Sequence, residues 1–325
     1  AKPDKVSTVR ADNPYAMQKH RHDKSQPENL VFLERLRGVL DRHGAAAVGE
    51  IGDDNGPPLM AAYTEAGRRL QMAYSFALLT ADASAAHIRA EAETLDKALN
   101  KTGGWGCWAM SNHDAPRVAT RWAGAAGPNP AQAQMWLALL LSMRGSVCLY
   151  QGEELGLPEA EVPFERLQDP YGKTFWPEFK GRDGCRTPMP WVADAADAGF
   201  GSGSVEPWLP IADAQRALAV DRQAADDQST LAQTRRLLAW RRTQPALRTG
   251  TIRFHDTPAG ALLFERRDGD DRLYAAFNLL DKPRRVSFDV KVAAIAGAPV
   301  PPLKPAGRTL TLPPYGVFFG RAVAA

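Results

Sequence analysis

Two acidic residues and a compact polar triplet are the parts of this sequence best placed to do chemistry. Glu50 closes the apolar run AAAVGE, and Asp114 ends CWAMSNHD, so each carboxylate follows a stretch that reads as a buried strand. A carboxyl group in a half-buried apolar setting favours its protonated form, which suits proton donation at neutral pH. A solvated loop residue is the plainer account of a single such Glu. Asn112, His113 and Asp114 group an amide, an imidazole and a carboxylate at one strand end. Such groups can hold vicinal sugar hydroxyls bidentately. They can equally cap a following helix, since Asp114 precedes Ala115 and Pro116. A metal is a competing use for His113 and Asp114, but the other histidines are scattered and no H-x-x-x-H pairs with them. Neither a metal nor a cofactor is therefore expected. His20 and His22, among Lys19, Arg21 and Lys24, read as a solvated loop. Trp105, Trp108, Trp176 and Trp191 fall near the expected rim, where core packing is the ordinary role of a Trp and sugar stacking the rarer one.

The elements that would position these groups alternate. Leu30, Leu33, Leu36 and Leu40 recur at helical spacing and Gly44 closes the run, which predicts a helix packed on a core. AAAVGEIG follows, too short for a stable helix and suited to a fully buried parallel strand. A helix from about Met60 to Arg69 then precedes LQMAYSF as a second strand. The alanine-rich helix AAHIRAEAETLDKAL precedes CWAMSNHD, and the helix AQAQMWLALLLSMRG precedes VCLY as a fourth strand. Helix and strand in alternation at this pitch indicate βα units around a parallel sheet, whose C-terminal rim is where substrates meet a barrel. Between Pro158 and about Gly203 runs a long Pro-, Gly- and aromatic-rich loop, of a length that is usually functional. After the helix STLAQTRRLLAWRRTQPAL the chain changes style. ALLFERR, RLYAAFNLL and RRVSFDV are short β-like runs between turn residues, which predicts a small antiparallel β domain.

Composition narrows the function classes. The chain has 325 residues, 44% hydrophobic and 24% charged, enough for one large core and a smaller partner. Its 40 basic and 37 acidic side chains are interspersed, which argues against a nucleic-acid or membrane surface. Three cysteines without a C-x-x-C pair, together with no long apolar run and no leader-like start, suggest a cytoplasmic protein.

Four blocks in order, VGEIGDD, SNHDAPR, LYQGEELG and GRDGCRTPMPW, resemble the α-amylase family, in particular its α-glucosidase and oligo-1,6-glucosidase branch. Flanking phrases such as DNPYAMQKHRHDKSQPENL, PWLPIA and LLAWRRTQPAL extend the likeness over nearly the whole chain. The resemblance implies an α/β fold, a (β/α)8 TIM barrel followed by an all-β antiparallel domain. Here the second half of the barrel would occupy residues 1–245 and the β domain residues 246–325. It also implies retaining hydrolysis of α-glucosidic bonds by an exo-acting enzyme on short oligosaccharides, with possible transfer to other alcohols. On matching positions Glu50 becomes the general acid/base and Asp114 the carboxylate that grips sugar hydroxyls in the transition state. His113 hydrogen-bonds beside it, Arg182 reaches the terminal glucose, and Phe76 lines the leaving-group entrance.

One departure stands out. A retaining mechanism needs a second carboxylate about 5 Å from the acid, carried in this family by a G-F-R-x-D block that the chain lacks. The chain is therefore expected to be a fragment partnered by the missing N-terminal half of the same protein. The rival readings are a glucosyltransferase or isomerase of the same family acting on sucrose, maltose or trehalose, and a non-catalytic sugar-binding or assembly relative.

Overall fold

The computed structural model describes residues 22–53 and 55–323. The expectations for Lys19, His20 and Arg21 lie outside the described residues. The first half reads α1 (Glu28–Arg42), β1 (Val48–Glu50), α2 (Gly56–Tyr63), β2 (Met72–Ser75), α3 (Ala85–Thr102), β3 (Gly106–Trp108), α4 (Val118–Arg121), α5 (Pro130–Leu140) and β4 (Ser146–Val147). The four strands form one parallel sheet in sequential order. α3 shows why these segments fold locally. Ser84 caps its first turn by accepting the His87 N–H, Gly103 ends it at φ 65°, and Ile88, Ala92, Leu95 and Leu99 form its buried stripe. α5 starts in the same way, on Asn129 as cap with Pro130 in the first turn.

Close packing decides which residues the strands can carry. A Cβ on Gly106 would sit 3.0 Å from Leu99 and 3.4 Å from Leu95, so only glycine lets α3 lie this near β3. Its register partner Ala73 is fully buried on the same face. The opposite face of the sheet carries Glu50, Tyr74 and Cys107 in one row.

Two boundaries differ from expectation. The helix predicted over Met60 to Arg69 begins earlier, at Gly56 with Pro57 and Pro58 in its first turn, and ends at Tyr63, after which a turn through Gly67 leads into β2. The strand expected at VCLY is short. Only Ser146 and Val147 pair as strand, although the Cys148 N–H still reaches the Trp108 carbonyl at 2.8 Å.

The second half opens with α6 (Pro170–Thr174), α7 (Asp213–Arg216), α8 (Val220–Ala224), α9 (Thr230–Arg242) and α10 (Pro245–Arg248). β5 (Thr251–Phe254), β6 (Ala261–Asp268), β7 (Asp271–Asn278), β8 (Arg284–Ser287), β9 (Val292–Ala294), β10 (Thr309–Leu312) and β11 (Val317–Ala322) then make two antiparallel sheets. β6 and β7 pair along their full length through a two-residue turn, where Gly269 at φ 59° supplies the left-handed residue such hairpins require. The five-stranded sheet is covered on both faces. Leu262, Phe264, Leu273 and Phe277 join the core that also holds Leu95, Trp108 and Trp136, whereas Leu263, Tyr274, Ala276 and Phe318 pack toward β8 and β10. Burial on both faces explains why ALLF and YAAF read as unbroken apolar runs.

The barrel is not closed. Among the described residues β1 pairs only with β2 and β4 only with β3, and Val48 on the outer strand is half exposed. Four parallel strands are half of the number a TIM barrel closes with. Among the described residues no helix is long and apolar enough to cross a membrane.

Candidate active site

The C-terminal ends of the strands gather the polar residues. Glu50 is the last residue of β1, Phe76 follows β2, and the loop after β3 carries Ser111 to Asp114. Glu50, His113 and Asp114 place one carboxylate oxygen or ring nitrogen each within 4.8 Å of one another, close enough to hold a cation or to converge on one small group. Glu50 is exposed, not half-buried as expected, because among the described residues no strand lies on the outer side of β1. Phe76 packs its ring 5.1 Å from that of Tyr74 and lies against Gly52 beside Glu50.

Asp114 is the electrostatic centre of the rim. Its Oδ1 accepts from Arg182 Nη1 at 3.0 Å and from Arg186 Nη2 at 2.7 Å, with His113 Nε2 at 3.5 Å. Arg186 Nε also donates to the His113 carbonyl at 2.7 Å, so one guanidinium fixes both residues. Two cations already on Asp114 weigh against a third. The capping role expected as an alternative falls to Asn112, whose Oδ1 accepts the N–H groups of Asp114 and Ala115 at 2.9 and 2.8 Å. That turn frees the Asp114 carboxylate to face outward.

Arg182 reaches Asp114 because Asp169 holds it. Asp169, with a fully buried side chain, accepts Arg182 Nε at 2.8 Å, Nη2 at 3.1 Å and the Arg182 backbone N–H at 2.8 Å. Burial would raise the Asp169 carboxyl, but hydrogen bonds from Arg182 outweigh it and keep the group below the usual carboxylate range. The same pairing pushes the Arg182 guanidinium upward. Asp169 sits where Asp-Pro begins α6, accepting the Tyr171 N–H as a helix cap.

A buried layer beneath ties the loops together. Arg117, 2% exposed, donates to the carbonyls of Gln151 at 2.6 Å and Cys185 at 3.0 Å, and its backbone N–H goes to Glu159 at 2.7 Å. It thereby joins the loop after β3, the loop after β4 and the long loop carrying Arg182. Gly152 is required there, since a Cβ would meet the Arg117 guanidinium at 2.6 Å and its φ of 90° disfavours any other residue.

Glu153 lies in this layer and accepts the Tyr150 N–H at 2.8 Å. Burial pushes its carboxyl up to about 7, against the opposing pull of the Tyr150 N–H and the Ser111 hydroxyl. A carboxyl raised above its ordinary 4.5 adds stability that is complete below that value and is lost as pH climbs through 7. Glu153→Gln is expected to match the parent near pH 4 and to exceed it by ~3 kcal/mol at pH 9. Thermal midpoints of both proteins across that range check this, and a gap independent of pH contradicts it.

Of the tryptophans expected near the rim, Trp105 precedes β3 and bonds Ser146 at the opposite end of the sheet, while Trp108 is buried with its indole on the Arg144 carbonyl. Neither reaches the site. Sequence reasoning missed Arg186 and Asp169. Arg186 was within sight, four positions after Arg182 in the same block, and Asp169 carried an Asp-Pro helix-start signal.

Residues 2–250 match the sequence profile of the alpha-amylase catalytic domain. The chain belongs to the alpha-amylase family. This alpha-amylase-family chain is 43% identical over 97% of its length to a protein of Rhizobium meliloti (strain 1021) named "Probable alpha-glucosidase", of which it spans 57%. It is 26% identical over 81% of its length to the oligo-1,6-glucosidase of Parageobacillus thermoglucosidasius, spanning 51% of that protein. The crystal structure of XgtA, an alpha-glucosyl transfer enzyme, superimposes with a TM-score of 0.89 at 50% identity, covering 96% of this chain and 57% of that one. The chain thus spans little more than half the length of the relatives it matches.

Proposed function

We propose that this chain carries the acid/base carboxylate and the sugar-binding rim of a retaining, exo-acting α-glucosidase that releases terminal α-linked glucose from short oligosaccharides. The observation that carries the reading is the convergence of Glu50, His113 and Asp114 within 4.8 Å, with Arg182 and Arg186 both on Asp114. Glu50 donates its proton to the glycosidic oxygen as the C–O bond breaks, then takes one from the attacking water. Asp114 and His113 hold vicinal hydroxyls of the glucose, and the arginines keep the Asp114 carboxylate aimed. Arg182, anchored by Asp169, closes the pocket over the non-reducing end, while Phe76 borders the leaving group. No cofactor takes part in this scheme.

The nucleophile comes from outside these residues. The open edges of β1 and β4 fit a barrel whose remaining four strands supply it, with residues 1–245 as the second half of the barrel and 246–325 as the β domain. α10, Pro245–Arg248, marks the passage between them. The free thiols of Cys107, Cys148 and Cys185 suit a cytoplasmic enzyme. The likeness to an alpha-glucosyl transfer enzyme favours a second reading, in which an alcohol takes the place of water as acceptor.

The test is product analysis in the protein carrying the complete barrel. With an aryl α-glucoside, proton NMR is expected to find α-glucose as the first sugar formed, and an added alcohol to divert part of it into an α-glucoside. β-Glucose as the first product overturns retention, and no turnover of any α-glucoside overturns the enzyme reading.

A further inference from the structure

Tyr150 lies just past β4, and its hydroxyl reaches across to the long loop. It donates to the Cys185 carbonyl at 2.9 Å, and Arg117 Nη2 donates to the same oxygen at 3.0 Å. A carbonyl oxygen has two lone pairs, so the loop after β3 and the end of β4 together use both. The two donors support each other. The Arg117 guanidinium lies 5.3 Å from the centre of the Tyr150 ring and donates to the carbonyl of the next residue, Gln151, at 2.6 Å. Cys185 is fully buried, where an oxygen without donors would be costly.

The position of Cys185 gives this contact its reach. Asp183–Cys185 form one tight helical turn between Arg182 and Arg186. The Cys185 N–H bonds the Arg182 carbonyl at 3.3 Å, the Cys185 thiol bonds the same oxygen at 3.1 Å, and the Arg186 N–H bonds the Asp183 carbonyl at 3.0 Å. Asp183 ties the turn to the opposite wall, its carboxylate accepting the N–H groups of Gln168 and Asp169 at 2.6 and 2.9 Å. The carbonyl of Cys185 and the N–H of Arg186 belong to one planar peptide unit. Fixing that oxygen therefore fixes the backbone from which Arg186 extends to Asp114 Oδ1 and to the His113 carbonyl.

We infer that Tyr150 is a positioning residue for the sugar-gripping carboxylate: its hydroxyl, with Arg117, sets the Cys185–Arg186 peptide and through it the guanidinium that aims Asp114. The inference rests on the reading of Asp114 as the group that holds glucose hydroxyls. It also predicts which substrates feel the loss of the hydroxyl. A misaimed Asp114 penalises a sugar that carries the hydroxyl it grips, and a sugar lacking that hydroxyl has no such contact to lose.

Tyr150→Phe keeps the ring beside Arg117 and removes only the hydroxyl. In the protein carrying the complete barrel, kcat/KM is measured for an aryl α-glucoside and for its monodeoxy analogues, with Asp114→Asn in parallel. The analogue on which Asp114→Asn costs least identifies the hydroxyl that Asp114 holds. Tyr150→Phe is expected to lower kcat/KM about 5- to 20-fold on the full glucoside and less than about 2-fold on that same analogue. An equal loss on every analogue would mark a merely structural residue and overturn the inference, as would no loss at all. If Asp114→Asn singles out one hydroxyl and Tyr150→Phe does not, the inference falls while the reading of Asp114 stands. If Asp114→Asn costs the same on every analogue, both fall.

Discussion

Glu50→Gln in the protein carrying the complete barrel is expected to lose about 10²- to 10⁴-fold in kcat on maltose-like substrates and to keep most of its activity on a dinitrophenyl glucoside. The amide is isosteric with the acid but has no proton to transfer, so the cost falls on bonds whose leaving oxygen must be protonated. The amide keeps the size of the acid and Glu50 takes no part in the core clusters of the described residues, so lost chemistry rather than lost folding is the expected cause. The thermal midpoint should stay within a few degrees of the parent, as near-isosteric substitutions outside a packed apolar core usually do. Binding of glucose should also persist, because Asp114, His113 and Arg182 keep their mutual contacts without Glu50. A uniform loss over all leaving groups would remove Glu50 from the acid/base role.

Arg266→Met is expected to destabilise the protein by on the order of 4 kcal/mol, read as a shift in the urea midpoint. Arg266 is fully buried in β6, on the face that packs against the barrel half. Its guanidinium donates to the carbonyls of Ser142 at 2.6 Å, Met143 at 2.8 Å, Gly250 at 2.9 Å and Thr251 at 3.0 Å. Ser142 and Met143 lie just past the C-terminus of α5, where helical carbonyls have no partner of their own. Arg241 completes the cover, bonding the carbonyls of Leu141 and Gly145. Desolvation pushes the Arg266 guanidinium down to about 9, so it remains charged at neutral pH and helix C-terminal dipoles face a cation. Met fills much of the volume but removes the guanidinium donors from the buried contacts to Ser142, Met143 and Gly250, each a desolvation cost of about 1 to 3 kcal/mol before relaxation. Arg266→Lys should restore only part of the loss, since one ammonium cannot span carbonyls on two sides of a planar fork. A midpoint unchanged in both variants would show that water satisfies these carbonyls instead.

The contrast between the two residues bears on what could be read in advance. Glu50 ends a short apolar run bracketed by glycines, and the local pattern suffices to put it at a strand terminus. Arg266 sits in ALLFERRD, where two arginines follow a buried run and nothing local says which is inside. The pleat decides it. Leu262, Phe264 and Arg266 share the face toward the barrel, and Arg267 turns outward into exposure.

Similar limits applied to the rim. The loop between Pro158 and Gly203 was legible as functional from its length, but its internal helix at Pro170–Thr174 and the Asp169–Arg182 pairing follow from where the chain returns. The fourth strand was overestimated because VCLY has strand-like composition, whereas the ladder needs a partner on its other side to extend.

The sequence by itself determined the family, the alternation of helix and strand, the parallel sheet followed by antiparallel strands, and the strand ends that carry Glu50 and Asp114. Those rest on periodicity, turn residues and short blocks, all of them written within a few consecutive positions. Only the tertiary structure decided that Arg182 and Arg186, 68 and 72 positions from Asp114, close on the same carboxylate oxygen. It alone set Tyr74 beside Glu50, through the register of two strands, and left Glu50 exposed at an outer edge. Such contacts depend on the path of loops and on which neighbours exclude water, and neither quantity is encoded in any local run of residues.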